Sequence, residues 1–181
     1  VYSCDGDETR WNGGYWHFNT RGVYNSFLAS NHIDLMDPYF RLYLRNIETL
    51  RRNTRADYGI DGIKIPETVA YDGRGDDGRY VHGIFSSGPE VAENLFLRYE
   101  YTRDLDWLRR VYPLIKDVVT FYQGYLQWDG TNYFMEPAHS LENYWNVKNP
   151  LPDLASVRSV FPMAIEAARI QGVDRDLRDP W

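Results

Sequence analysis

The chain has 181 residues, 43% of them hydrophobic, which is enough for one core and too little for two full domains. Twenty basic side chains against 26 acidic ones leave a net charge of −6, spread along the chain, so neither nucleic acid nor an anionic membrane is expected as a partner. The single cysteine, Cys4, excludes an intrachain disulfide and offers no cysteine-based metal or redox centre.

In chain order, the first expected helix covers residues 22–30. A stronger one follows over 38–58, where Phe40, Tyr43, Leu44, Ile47 and Leu50 recur at three- and four-residue steps, after Asp37 as N-cap and Pro38 at the first helical position. Arg51, Arg52 and Arg55 suit its C-terminal dipole and Gly59 ends it. Residues 59–88 read as a long glycine- and aspartate-rich loop. Helices are expected over 89–102 and 105–122, the second interrupted at Pro113 by a kink or a new start. "YLQWDGTNYFMEP" reads as a β-hairpin turning at Asp129-Gly130. The last helix is expected over 154–171, capped by Asp153 and ended by Gly172, with Ala164 and Ala168 on a face that lets another helix approach.

No apolar run approaches a membrane span and no signal segment opens the chain. It begins at Val1 and closes on "GVDRDLRDPW", where a helical pattern is starting, so a single fragment, 1–181, with sequence missing at both ends is expected. Antiparallel helix pairs with long loops at one end suggest a helical toroid or bundle with a site on the rim. The 16% aromatic content tilts the ligand towards sugars, whose C–H faces stack on rings, although rings also fill cores.

Three segments carry a resemblance. "YEYTRDLDWLRRVYPLIKDVVTFY" is similar to the helix, turn and Tyr-Pro-Leu helix shared by many (α/α) toroid glycosidases. "FMEPAHSLENYW" resembles the Ser-Pro-Glu-Asn segment of family 95 glycoside hydrolases, the inverting α-L-fucosidases and their α-L-galactosidase relatives. "WHFNTRGVYNSF" resembles that family's Asn-x-Asn strip. The resemblance implies an all-α fold, about half of an (α/α) six-hairpin toroid, with a short β-hairpin and long rim loops. It implies a secreted or periplasmic bacterial glycosidase with no cofactor or metal, acting on a carbohydrate whose terminal sugar is α-linked L-fucose or L-galactose. By the same resemblance Glu142 is the general acid and Asn19 an amide that positions the attacking water. His17 stands where the other amide would be, and Leu141 replaces the family's proline. The family's later carboxylate lies beyond this chain, as would the remaining half of the toroid.

The residues themselves allow this chemistry. Inversion needs a protonated carboxyl at the leaving oxygen and a base across the ring, roughly 6.5–9.5 Å apart. Glu142, between His139 and Tyr144-Trp145, is expected beside apolar surface that keeps it protonated. His17 has the chemistry to bind water or accept its proton. Trp16, Arg21, His139, Asn143, Tyr144 and Trp145 are candidates for substrate contact, with Tyr24 as a further ring and Asp34 as another partner for Arg21. Each has a plainer reading. Glu142 is also an ordinary loop carboxylate, and His17 with Asn19 is also a polar corner serving backbone groups at a helix start. "YDGRGDDG" offers a calcium loop through Asp72, Asp76 and Asp77 or an Arg-Gly-Asp tripeptide, but its spacing fits a solvated loop better. Two rivals remain open. One is a phosphorylase or another toroid hydrolase, for which Lys148 is the nearby cation. The other is a carbohydrate-binding protein without catalysis.

Overall fold

The computed structural model describes residues 14–75 and 81–181, together with the backbone of two paired strands, β1 (Cys4–Asp5) and β2 (Glu8–Thr9). Strand β3 (Tyr15–Trp16) leads directly into helix α1, His17–Ala29, which starts five residues before the apolar spacing suggests. The reason is non-local. The first turn of α1 contains no acidic residue, and its backbone donors are met by Glu67: the Phe18 N–H donates to Oε1 at 2.6 Å and the His17 N–H to the Glu67 carbonyl at 2.9 Å. A cap borrowed from fifty residues downstream leaves no mark at the helix start itself.

The helix expected over 38–58 is two helices, α2 (Asp37–Leu44) and α3 (Ile47–Tyr58). Between them the Asn46 amide donates to the Leu42 carbonyl at 2.8 Å and to the Tyr71 carbonyl at 3.1 Å. A side chain that competes for helical carbonyls and ties to a distant loop breaks the run. Asp37 is not the side-chain cap expected of it, because its carboxylate is paired with Arg98 at 2.6 Å. Gly59 does end α3 in the left-handed region.

The stretch 59–88 is not simply a solvated loop. Residues 63–69 are buried, Ile63 N–H donates to the Asp117 carbonyl at 2.9 Å, and β4 (Thr68–Val69) pairs antiparallel with β3. Gly62 makes this possible, with φ +98 and the space of its missing Cβ lying 2.3 Å from the Asp117 carbonyl oxygen. Gly62→Ala is therefore expected to cost about 2–4 kcal/mol, through positive φ and a backbone clash together, as read by urea unfolding. Asp76 and Asp77 lie outside the described residues.

Helix α4 (Ser87–Thr102) and helix α5 (Leu105–Tyr125) form a tight antiparallel pair. Arg103 closes α4 in the left-handed region, and Asp104 opens α5 by accepting from the Asp106 and Trp107 N–H groups at 3.0 and 2.9 Å. No new helix starts at Pro113: α5 runs through it. Pro113 is exposed, on the solvent side of the helix, while its neighbours Leu114 and Ile115 are fully buried and hold the helix in place. Two hairpins follow. The expected one is β5 (Gln127–Trp128) with β6 (Tyr133–Phe134), its turn held by Asp129; the second, β7 (Ala138–Ser140) with β8 (Tyr144–Val147), was not anticipated. Helix α6 (Leu151–Gln171) follows, with a short 3-10 turn at Arg175–Leu177 after it, and Asp153 lies inside the first turn of α6, buried, instead of capping it.

Helix α1 packs beside α4, α4 beside α6, and α5 covers both α4 and α6. The core between them holds Tyr39, Phe40, Tyr43, Leu95, Leu108, Val118 and Phe121, so much of the aromatic content is structural. Tyr24 belongs there too, stacked on Tyr39 at 4.6 Å between ring centroids. This mostly helical architecture is consistent with part of an (α/α) toroid. No helix among the described residues is long and apolar enough to cross a membrane.

Candidate active site

Three carboxylates stand at the N-terminal ends of α1, α4 and α6, one from the long connection and two from first helical turns, each within reach of backbone or side-chain donors. Glu67 serves α1 and accepts from the Ser87 hydroxyl, at the start of α4, at 2.7 Å. Glu90, in the first turn of α4, is held by His17 Nε2 at 3.1 Å and Arg21 at 2.8 Å. Asp153, in the first turn of α6, accepts from the Phe85 N–H at 3.3 Å, just ahead of α4. Positive helix ends favour such anions, and that is why acidic groups gather at this rim.

Their electrostatics differ. Burial alone would raise the Glu90 carboxyl, but His17 and Arg21 outweigh it and hold it below its ordinary value. Asp153 has no such pair among the described residues. Burial pushes it up to about 7, against the pull of the Phe85 backbone donor and Lys64. Its Oδ2 has no hydrogen-bond partner among the described residues.

The sequence-derived candidates fall into two groups. The first stands at the start of α1. His17 is 1% exposed and braced on Glu90, so its ring faces protein instead of solvent. Arg21 pairs with Glu90 and not with Asp34, and it also lies over the Phe18 ring at 4.1 Å. Asn19 is exposed, and the Trp16 indole nitrogen is buried with no partner among the described residues.

The second group is the β7–β8 hairpin. Glu142 sits exposed in its turn, next to Leu141 in the left-handed region and Asn143, so the apolar shelter expected around Glu142 is not formed by the described residues. The Trp145 indole donates to the Glu142 carbonyl oxygen at 2.7 Å and stacks on His139 at 6.2 Å, which fixes the turn. Tyr144 is 67% exposed beside it. Lys148 lies over the Phe134 ring at 3.9 Å.

Residues 83–90 join the two groups. The His139 N–H donates to the Gly83 carbonyl at 2.7 Å, and seven residues on Glu90 holds His17. Glu67, Glu90 and Asp153 carry no local sign of being a set, because they are assembled from a loop and two helix starts. Among the described residues no group of three or more His, Cys, Asp or Glu is placed to hold a metal ion.

Carboxylates at neighbouring helix starts, tied through residues 83–90 to a hairpin that presents an acid and exposed rings, suit a carbohydrate-active domain. The sequence matches the glycosyl hydrolase family 95 catalytic domain over residues 4–181, and the chain belongs to that family. It is a glycoside hydrolase domain whose substrates are carbohydrates. No curated protein matches the chain significantly.

Proposed function

We propose that the protein is an inverting glycosidase that removes a terminal α-linked L-fucose or L-galactose, with Glu142 as general acid, and that it works outside the cytoplasm, secreted or periplasmic. The observation that carries this reading is the position of Glu142. It stands exposed at the tip of a hairpin that is fixed by Trp145 and tied through His139 to the start of α4, so its carboxyl is presented to a leaving-group oxygen by a rigid support. Exposed Tyr144 and Trp145 flank it as ring surfaces for a sugar, with Asn143 as an adjacent amide. On the opposite group, Asn19 is the amide for the attacking water. His17, Glu90 and Arg21 hold the helix start that presents Asn19, and Trp16 contributes ring surface there.

The test is hydrolysis of aryl α-L-fucoside and α-L-galactoside by the full-length protein, followed by proton NMR of the first sugar released. The expected product is the β anomer. Initial release of the α anomer, or no release from either substrate, would reject inversion or the sugar assignment. A second expectation concerns the support. At Gly83 an added Cβ would lie 2.4 Å from the His139 ring. Gly83→Ala should therefore shift the hairpin and lower kcat by about tenfold or more with a melting temperature near that of the parent.

A further inference from the structure

Phe85 stands just ahead of α4, and two other helices hold its backbone. Its N–H donates to Asp153 Oδ1 of α6 at 3.3 Å, and its carbonyl accepts from the Tyr122 hydroxyl of α5. Its ring is buried against Phe121 and Tyr125 of α5, at 5.9 and 4.6 Å between centroids, so side chain and backbone are fixed together. Two residues earlier, the Gly83 carbonyl takes the His139 N–H at 2.7 Å. His139 stacks on Trp145, and the Trp145 indole donates to the Glu142 carbonyl at 2.7 Å. A contiguous path of hydrogen bonds and packed rings therefore leads from Asp153 to the residue proposed to give the proton, and such paths carry coupling between distant positions.

An aspartate is an unfavourable choice for the place that Asp153 occupies. The residue is 1% exposed, and its Oδ2 meets no hydrogen-bond partner among the described residues. A buried polar atom left in that state destabilises the fold, and an apolar side chain of similar size would avoid the penalty. What the apolar side chain would not supply is an acceptor for the Phe85 N–H. Burial pushes the carboxyl up to about 7, so in acid that acceptor is an uncharged group, which an amide reproduces. We propose that Asp153 is a positioning residue of the glycosidase reaction: with Tyr122 it clamps the Phe85 backbone, and through Gly83 and His139 the clamp sets where Glu142 presents its carboxyl. Asp153 itself is buried and touches no substrate. The proposal rests on the reading of Glu142 as general acid.

The experiment compares kcat and KM of the full-length parent, Asp153→Ala, Asp153→Asn and Tyr122→Phe on methyl and dinitrophenyl α-L-fucosides at pH 6. Asp153→Ala should lower kcat on the methyl fucoside at least about tenfold, with KM and the dinitrophenyl rate within about threefold of the parent, because a misplaced acid matters only where the leaving oxygen needs its proton. Asp153→Asn keeps an acceptor for the Phe85 N–H and should recover most of that loss. In a Glu142→Gln background Asp153→Ala should cause no further loss, since a residue that acts through Glu142 then has nothing to act on. Tyr122→Phe keeps the buried ring, removes only the hydroxyl, and should show the same selective loss at about threefold or more. It carries the test if Asp153→Ala does not fold. Hydrogen exchange of residues 138–147, read by mass spectrometry, should be at least about fivefold faster in the variant that breaks the clamp and close to the parent in Asp153→Asn. Equal losses on both substrates, a loss in Asp153→Asn as large as in Asp153→Ala, a further loss in the Glu142→Gln background, or unchanged exchange would each overturn the proposal. If Glu142→Gln loses rate selectively on the methyl fucoside and the clamp variants do not, the positioning role alone fails. If Glu142→Gln shows no selective loss, the acid assignment fails and the positioning role fails with it.

Discussion

Asp153→Asn is expected to make the protein more stable at pH 8, by about 2–4 kcal/mol, and to flatten its stability between about pH 4 and pH 7. The sign follows from the direction of the shift. Burial raises the Asp153 carboxyl from its ordinary value of 3.8 to about 7, so between those values the folded state holds a proton that the unfolded state releases. Stability from this group is full in acid and is lost as pH rises through about 7. An amide mimics the neutral acid: it still accepts from the Phe85 N–H and carries no charge to be buried. Among the described residues, Asp153 interacts electrostatically with Lys64, Tyr122 and Tyr125, of which Lys64 is the cation. Glu90 acts in the opposite sense. Its carboxyl is lowered, so its contribution is present above its unfolded value and disappears in acid. Urea midpoints of parent and variant across pH 4–8 check this, and parallel curves would show that Asp153 does not titrate in that window.

How much of this was legible in the sequence follows from where each signal is stored. The helices α4, α5 and α6 were readable because their apolar faces repeat at helical spacing and their stops, such as Gly172, are local. The β5–β6 hairpin was readable from Asp129-Gly130, a turn signal two residues long. What escaped was stored at a distance. The start of α1 depends on Glu67, and the break between α2 and α3 depends on Asn46 reaching Tyr71. The unbroken α5 through Pro113 depends on burial of Leu114 and Ile115. The candidate site divides in the same way. Glu142, Tyr144 and Trp145 lie within four residues and could be read together, whereas the pairing of His17 with Glu90 spans 73 residues. The buried run 63–69, Lys64 included, was hidden by the glycines and aspartates around it.

Glu142→Gln bears on the central claim more than any other change. A positioned general acid contributes about 10²–10⁴ in rate, and the contribution is greatest where the leaving group is a poor one. The side chain is exposed in a hairpin turn, and its own carbonyl, not its carboxylate, holds the Trp145 indole, so the amide variant keeps the fold and the turn. The measurement is kcat for parent and Glu142→Gln on two α-L-fucosides, one with a methyl and one with a dinitrophenyl leaving group, with substrate binding determined alongside. The account predicts a loss of about 10³ on the methyl fucoside, a far smaller loss on the dinitrophenyl fucoside, which departs without protonation, and binding close to that of the parent. Equal losses on the two substrates, or no loss on either, would contradict it, because a residue that delivers the proton to the leaving oxygen must matter in proportion to the need for that proton.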